Sequence, residues 1–288
     1  MKDEKNIHDT ATDKRVTCNT CPRHCSLAEG EVGNCNARVC KEGKIISLNY
    51  GRSVSLTLDP IEKKPLRLFC PGSTVLSVGS WGCNMHCMFC QNHSISQITE
   101  SQAETDTISP QELAVRALSM RSKGNIGAAF TYNEPLVGWE YVRDAEKEVK
   151  YFDMKNVIVT NGCVLPNVLD EILPYTDAMN IDLKSFTKEG YAKLGGDFDT
   201  VKYAIAECAK HCHVELTTLV VPEFNDSEDE MKQEAQWIAS IDSHIALHVT
   251  RFFPRYKMKN AEPTPVSTVY ELAGVAQQYL KNVFTGNC

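Results

Sequence analysis

Three cysteines, Cys83, Cys87 and Cys90, stand at C-x3-C-x2-C spacing in a loop-like stretch rich in polar residues, with Phe89 just before the third. A cubane [4Fe–4S] cluster normally takes four thiolates. Three closely spaced thiolates can hold three irons and leave the fourth open to a small molecule, as an open catalytic zinc position is. A triplet of this kind also occurs within a structural zinc site or as three buried thiols, so its surroundings have to decide.

A second group precedes it. Cys18-x2-Cys21-Pro22-Arg23-His24-Cys25 is followed by a glycine-rich stretch ending in Cys35. The glycines permit the turns that bring a fourth sulfur back to the first three. Four thiolates suit zinc or a second iron–sulfur cluster. Cys40 is surplus to this set. All thirteen cysteines belong to a chain whose charged start, Met1 to Arg15, has no apolar signal core. Clustered cysteines in such a chain read as metal ligands before disulfides. They suit an anaerobic or strongly reducing cytoplasm.

The elements that must position these groups follow from apolar periodicity. Short apolar strands fit at Thr74–Gly79, Ile126–Thr131, Asn156–Thr160, Ala178–Leu183, Val214–Val221 and Ile245–Arg251. Helical patterns fit at Pro110–Lys123, Leu136–Met154, Pro166–Leu173, Thr200–Lys210, Ser227–Ile241 and Val266–Leu280. Ser109, Pro110 and Glu112 supply a capping box and a first-turn proline for the first helix. Six βα units in succession predict an α/β fold, a partial (β/α)6 barrel of TIM type with its active site at the C-terminal strand ends. Residues 1–17 read as a mobile tail and residues 18–70 as a Cys-rich knuckle plus hairpin. The hairpin is expected over Lys44–Leu58, and residues 71–288 form the barrel. Asp59–Leu66, with its paired lysines, reads as a solvated linker.

Polar residues fall just after each strand: the cysteine triplet, Asn133 and Glu134, Asn161, Asp182 with Lys184, and His248 with Arg251. Charged groups gathered at a barrel mouth indicate function. The 288 residues and 42% hydrophobic content allow a full core. A net charge of −7 argues against general nucleic-acid binding. The absence of a run of about 18 apolar residues argues against a membrane span.

These residues carry a resemblance over nearly the whole chain. The Cys83–Cys90 stretch resembles the signature of the radical S-adenosylmethionine (SAM) superfamily. Asn161-Gly162, Asp182-Leu183-Lys184 and Val221-Pro222 resemble the pyruvate formate-lyase activating enzymes. The front knuckle, Asp59–Leu66, Thr131–Pro135 and Arg251–Met258 are similar to the AmmeMemoRadiSam family. The resemblance implies a [4Fe–4S] cluster on Cys83, Cys87 and Cys90, with SAM on the open iron. It implies Phe89 near the adenine, Glu134 at the SAM amino group beside Asn133, and Asp182 and Lys184 lining the SAM pocket; Asn161, His248 and Arg251, which follow or end strands, are expected to bind the cofactor with them. Thr218 stands where the activases carry an arginine, and Tyr256 near where they carry a histidine. That departure weakens transfer of the activase substrate.

Reductive SAM cleavage with flavodoxin or ferredoxin as electron donor is the activity implied. A small molecule or cofactor precursor is the expected target, handled with Memo-like and AMMECR-like proteins. A glycyl radical enzyme is the alternative target. A non-catalytic iron–sulfur or zinc protein, acting as sensor or electron carrier, is a third reading.

Overall fold

Alternating apolar runs become strands, and the 3.6-period runs become the helices that cover them. The computed structural model describes residues 14–288. In chain order the strands are β1 (Val16–Thr17), β2 (Ser26–Leu27), β3 (Arg38–Lys41), β4 (Lys44–Ser47), β5 (Arg52–Ser53), β6 (Ser55–Pro60) and β7 (Thr74–Gly79). They continue as β8 (Asp106–Thr107), β9 (Asn125–Phe130), β10 (Lys155–Thr160), β11 (Ala178–Asp182), β12 (His213–Val220), β13 (Ala246–Arg251) and β14 (Val283–Gly286). The helices are α1 (His93–Ser96), α2 (Pro110–Ser119), α3 (Trp139–Tyr151), α4 (Pro166–Ile172), α5 (Lys188–Leu194), α6 (Phe198–His211), α7 (Glu228–Asp242) and α8 (Val266–Ala276).

One eight-stranded sheet runs in the order β14-β13-β12-β11-β10-β9-β7-β6. Every neighbouring pair is parallel except β6 with β7. β6 and β14 end the order without meeting, so the barrel is partial. The six expected βα strands are present, and two more extend them. β14 continues the parallel run beyond β13, and β6 adds an antiparallel edge beside β7.

The hairpin expected over Lys44–Leu58 is a correction. The hairpin is β3–β4, turning at Glu42-Gly43, while the alternating stretch from Ser55 leaves it and pairs with β7. Alternation marks a strand with one buried face but not which strand it pairs with. Of the expected mobile tail, residues 1–13 lie outside the described residues, and Val16–Thr17 form a strand paired with Ser26–Leu27.

The capping box that starts α2 forms: Glu112 N–H donates to Ser109 Oγ at 3.2 Å, and Ser109 N–H to Glu112 Oε2 at 2.9 Å. Between sheet and helices, Leu76, Val78, Phe130, Ile158, Leu216 and Leu247 pack on Leu113, Val142, Val201, Ile238 and Leu272. Burying one such side chain contributes about 1.5–3 kcal/mol. Inside the barrel, Ile61, Leu66, Val75, Ala129, Val157 and Ala178 form a smaller core.

Residues 61–69 thus enter the barrel as a plug, which corrects the solvated-linker reading of Asp59–Leu66. Lys63 is exposed, but Lys64 is 1% exposed and its Nζ lies 2.9 Å from Asp59 Oδ2. Tyr132 donates its hydroxyl to the same oxygen, and the Lys64 ammonium sits 4.5 Å from the Tyr132 ring centre. Among the described residues no helix is long and apolar enough to cross a membrane.

Candidate active site

Gly79 ends β7, and the cysteine loop begins at once. Gly82 has φ +96°, and a Cβ there would lie 2.6 Å from the Cys35 carbonyl oxygen, so only glycine fits without a shift. Cys83 N–H donates to that same carbonyl at 3.2 Å, and His86 N–H to Leu194 O at 2.8 Å. Gln97, just past α1, fixes the loop from inside: its Nε2 donates to Met85 O at 3.0 Å.

Cys83, Cys87 and Cys90 line one cavity of about 280 Å³ with Phe89, Asn133, Glu134, Asn161, Asp182 and Lys184. Eight expected cofactor-binding positions therefore divide: six come together with the triplet, while His248 and Arg251 do not. Strand parity excludes Arg251 and depth along the strand excludes His248. Thr250 faces the cavity. Arg251 takes the opposite face, donates from Nε to Thr264 O at 2.7 Å and covers the Phe253 ring. His248 shares the face of Thr250 but sits a pleat deeper, with Nε2 2.7 Å from Glu215 Oε2.

Glu215 in turn accepts the N–H groups of Arg67 and Leu68 at 2.9 and 2.8 Å. Burial alone would raise its pKa, but His213, His248 and these two amides outweigh burial and hold the carboxyl down at about 2. His248 and Glu215 secure the barrel plug rather than the cofactor cavity.

Glu134 is 2% exposed and accepts three hydrogen bonds. Its Oε1 accepts from Thr160 Oγ1 at 2.7 Å and from Leu136 N–H at 3.1 Å, and its Oε2 from Asn161 N–H at 2.7 Å. Burial pushes its pKa up to about 7 against the pull of those donors. The result is a fixed carboxyl facing the triplet, poised to accept from a cation. Asn133 spends its amide on the cysteine loop: Nδ2 donates to Trp81 O at 3.1 Å and Oδ1 accepts Ser80 N–H at 3.1 Å. Asn161 reaches Asn84 Oδ1 at 2.9 Å and Cys83 Sγ at 3.6 Å through Nδ2.

Lys184 Nζ lies 3.0 Å from Asp182 Oδ2. Desolvation works against its charge, yet the Asp182 carboxylate holds it above the usual lysine range. Phe89 packs on Phe224 at a centroid distance of 5.7 Å. Thr217, Leu219, Thr250 and Asn287 are among the other residues of the wall, and sequence reasoning missed them. Strand alternation could have found Thr217 and Leu219, which lie two and four residues beyond Glu215 on the same face. Thr218, between them, turns away to hydrogen-bond Glu234 of α7.

The front cysteines also converge. Cys18, Cys21, Cys25 and Cys35 line a second, small cavity of about 10 Å³. Cys18 N–H donates to Cys25 O at 2.9 Å and closes the knuckle. Cys40 lies elsewhere, with its sulfur 4.0 Å from Glu29. Arg23 clamps the knuckle onto the active-site loop, donating to Asn84 O at 2.9 Å and Gly195 O at 2.6 Å. Cys163 is buried, accepts the Asp197 N–H at 3.3 Å through Sγ, and is not among the cavity-lining residues, so it packs rather than faces the cavity.

Thiol chemistry tests the fit to metals. All thirteen cysteines are free thiols. Burial pushes the Cys87 and Cys35 thiols up to about 11, so each stays protonated until a metal displaces the proton. Among the described residues no three His, Cys, Asp or Glu side chains already stand in an arrangement that could hold an ion. The donor types fit: three thiolates around a roomy cavity suit a cluster with an open iron, and four around a small one suit a closed ion site.

Comparison with known proteins identifies the family. Residues 79–235 match the family model described as Radical SAM superfamily. The uncharacterized protein MJ0808 of Methanocaldococcus jannaschii is 35% identical over 99% of this chain and 85% of its own length. The pyruvate formate-lyase 1-activating enzyme of Escherichia coli K12 is 23% identical over 69% of this chain and 86% of its own. Among solved structures, Streptococcus suis SuiB superposes with a TM-score of 0.56 at 14% identity, over 73% of this chain and 48% of that one. A radical SAM methyltransferase from Sphaerobacter thermophilus gives 0.54 at 13% identity, over 75% and 66%. At these identities the superpositions speak to the fold alone.

Proposed function

Because this chain belongs to the radical SAM superfamily, we propose that its barrel cavity cleaves SAM reductively and abstracts hydrogen from a small-molecule or cofactor-precursor substrate. The observation that carries this reading is the single cavity shared by Cys83, Cys87, Cys90, Glu134, Asn161, Asp182 and Lys184. When bound, a [4Fe–4S] cluster on the three thiolates supplies one electron to the SAM sulfonium, yielding methionine and a 5′-deoxyadenosyl radical.

The chain's own residues bind and orient. Glu134, fixed by three donors, accepts the SAM ammonium. Lys184, paired with Asp182 and close to Cys87, offers positive charge to a carboxylate. Phe89 and Leu219 give the cavity apolar wall for a nucleoside and keep water from it. Thr217, Thr250 and Asn287 are offered to the substrate, neutral donors and acceptors that suit a small polar molecule. Memo-like and AMMECR-like proteins would supply its precursor or take its product.

A second reading, activation of a glycyl radical enzyme, is supported by the similarity to the E. coli activating enzyme. Against it stands Thr218, which is turned onto α7 instead of presenting a cation to the cavity.

We assign the front knuckle to zinc, because four thiolates around a small void of about 10 Å³ suit a closed ion site. Anaerobic reconstitution with iron and sulfide, reduction in the presence of SAM and assay of 5′-deoxyadenosine test the main reading. Metabolites and partner proteins bearing deuterium then identify the substrate by transfer of label into that product.

A further inference from the structure

One residue of the active-site loop belongs to both groups of cysteines. Asn84 is 2% exposed and follows Cys83 in the motif, yet it lines the small front cavity with Cys18, Cys21, Cys25 and Cys35. There burial raises the Cys21 thiol, while the Arg23 N–H and the Asn84 amide pull it back toward the thiolate. Asn84 Nδ2 also donates to Cys163 O at 2.6 Å. Its Oδ1 accepts Asn161 Nδ2 at 2.9 Å, and that same Nδ2 reaches Cys83 Sγ at 3.6 Å. A series of polar contacts therefore runs Cys21–Asn84–Asn161–Cys83.

The backbone repeats the link. Cys83 N–H donates to Cys35 O at 3.2 Å, and Arg23, inside the knuckle, donates from Nε to Asn84 O at 2.9 Å. The front knuckle thus holds Cys83 and Asn84 by main chain as well as by side chain.

Two neutral asparagines in such a place have a chemical use. An N–H aimed at a ligand sulfur offsets the negative charge that a cluster gains on reduction, and so raises its potential. The N–H does this only while a neighbouring group fixes its direction. Asn161 is fixed at both ends of its amide: Oδ1 accepts the Cys163 N–H at 2.8 Å, and Nδ2 is bound by Asn84. Asn84 in turn is held from the front knuckle, where metal binding is coupled to local folding.

We propose that Asn84 is a positioning residue through which metal in the front knuckle raises the reduction potential of the cluster on Cys83, Cys87 and Cys90. It acts through Asn161, whose amide it holds toward the Cys83 sulfur. This inference rests on the radical SAM reading and on the front metal site, and adds a coupling between them. Linkage makes the coupling reciprocal, so reduction of the cluster tightens the front metal by the same factor.

The test is a redox titration of the cluster, followed by electron paramagnetic resonance without SAM, in the anaerobically reconstituted full chain. Iron, sulfide and zinc are counted in every sample. At the potential that half-reduces the unsubstituted, zinc-loaded protein, Asn84→Ala should show a ratio of reduced to oxidised cluster about tenfold lower. That is a shift of about 59 mV for one electron. Asn161→Ala should shift the potential equally, and the double variant no further, because one residue acts through the other. The unsubstituted chain with its front zinc removed should shift in the same direction. This arm needs no substitution and decides the matter should Asn84→Ala fail to fold. Unchanged potential in the zinc-free chain or in Asn84→Ala with full iron, or additive shifts in the double variant, overturns the coupling. Front cysteines that bind no zinc overturn the front site and the coupling with it. An unsubstituted chain that takes up no cluster overturns the radical SAM reading itself.

Discussion

The carboxylate of Glu134 receives the backbone N–H of Asn161 at 2.7 Å, joining the ends of β9 and β10 beneath the cysteine loop. Asn161 then extends its own amide toward Cys83 Sγ at 3.6 Å. The carboxyl proposed to bind SAM and a proposed cluster ligand are therefore both held by one asparagine, its backbone serving the first and its side chain the second.

Glu134→Ala removes the acceptor for the SAM ammonium but none of the sulfur ligands. We expect SAM affinity to fall by at least tenfold, as loss of a charge-assisted contact implies, while the cluster absorbance persists. Equilibrium binding of SAM to the reconstituted variant measures the first, and iron and sulfide content the second. Loss of iron with unchanged SAM affinity per cluster would show that Glu134 serves the metal instead.

Glu234 makes stability depend on pH. It is 1% exposed, and burial raises its pKa to about 8, while Thr218 donates to Oε1. The folded state thus holds a proton that the unfolded chain releases above about pH 4.5. Stability is lost as pH rises from there to about 8. Glu234→Gln keeps an acceptor for Thr218 and cannot ionise. Urea unfolding of the metal-free protein should show the variant more stable by about 1–3 kcal/mol at pH 8.5, with the difference vanishing near pH 4.5. A constant difference across that range would contradict this account of the carboxyl.

Lys64 and Asp59 form a buried pair in the barrel plug. Lys64→Met leaves the buried Asp59 charge with only Tyr132 and the exposed Lys63 and should cost about 3 kcal/mol, whereas the double variant with Asp59→Asn should recover much of that loss. Additive losses in the double variant would place Lys64 outside the pair.

For the front knuckle, zinc analysis of the variant lacking Cys83, Cys87 and Cys90 should find about one zinc per chain. Adding Cys21→Ala should remove that zinc and make residues 18–47 the first to exchange amide hydrogen, because ion binding there is coupled to folding. About four irons with sulfide in place of zinc would identify a second cluster, and no metal at all would remove the site.

How far the sequence revealed this molecule follows from what each signal encodes. The cysteine spacing, the six long strands and the capping box at Ser109 are local patterns, and each appears where its residues stand. β14 is only Val283–Gly286 and gains its place from β13, so no local signal announced it. Lys64 was misread because a run of charges looks solvated whether or not a fold encloses it. His248 and Arg251 were assigned by nearness to a strand end alone. Parity along β13 sends Arg251 to the outer face, and depth leaves His248 with Glu215. Thr217 and Thr250 carry no charge or motif, so only the closed geometry marks them as lining.

The central claim is that the cavity behind Cys83, Cys87 and Cys90 cleaves SAM. Its most direct measurement is 5′-deoxyadenosine formed by the anaerobically reconstituted, dithionite-reduced protein, set beside Cys87→Ala treated identically. The account predicts product from the first and none above background from the second, because the substitution removes a cluster ligand. Equal yields from both proteins, or no product from either despite a full complement of iron and sulfide in the unsubstituted protein, would contradict it.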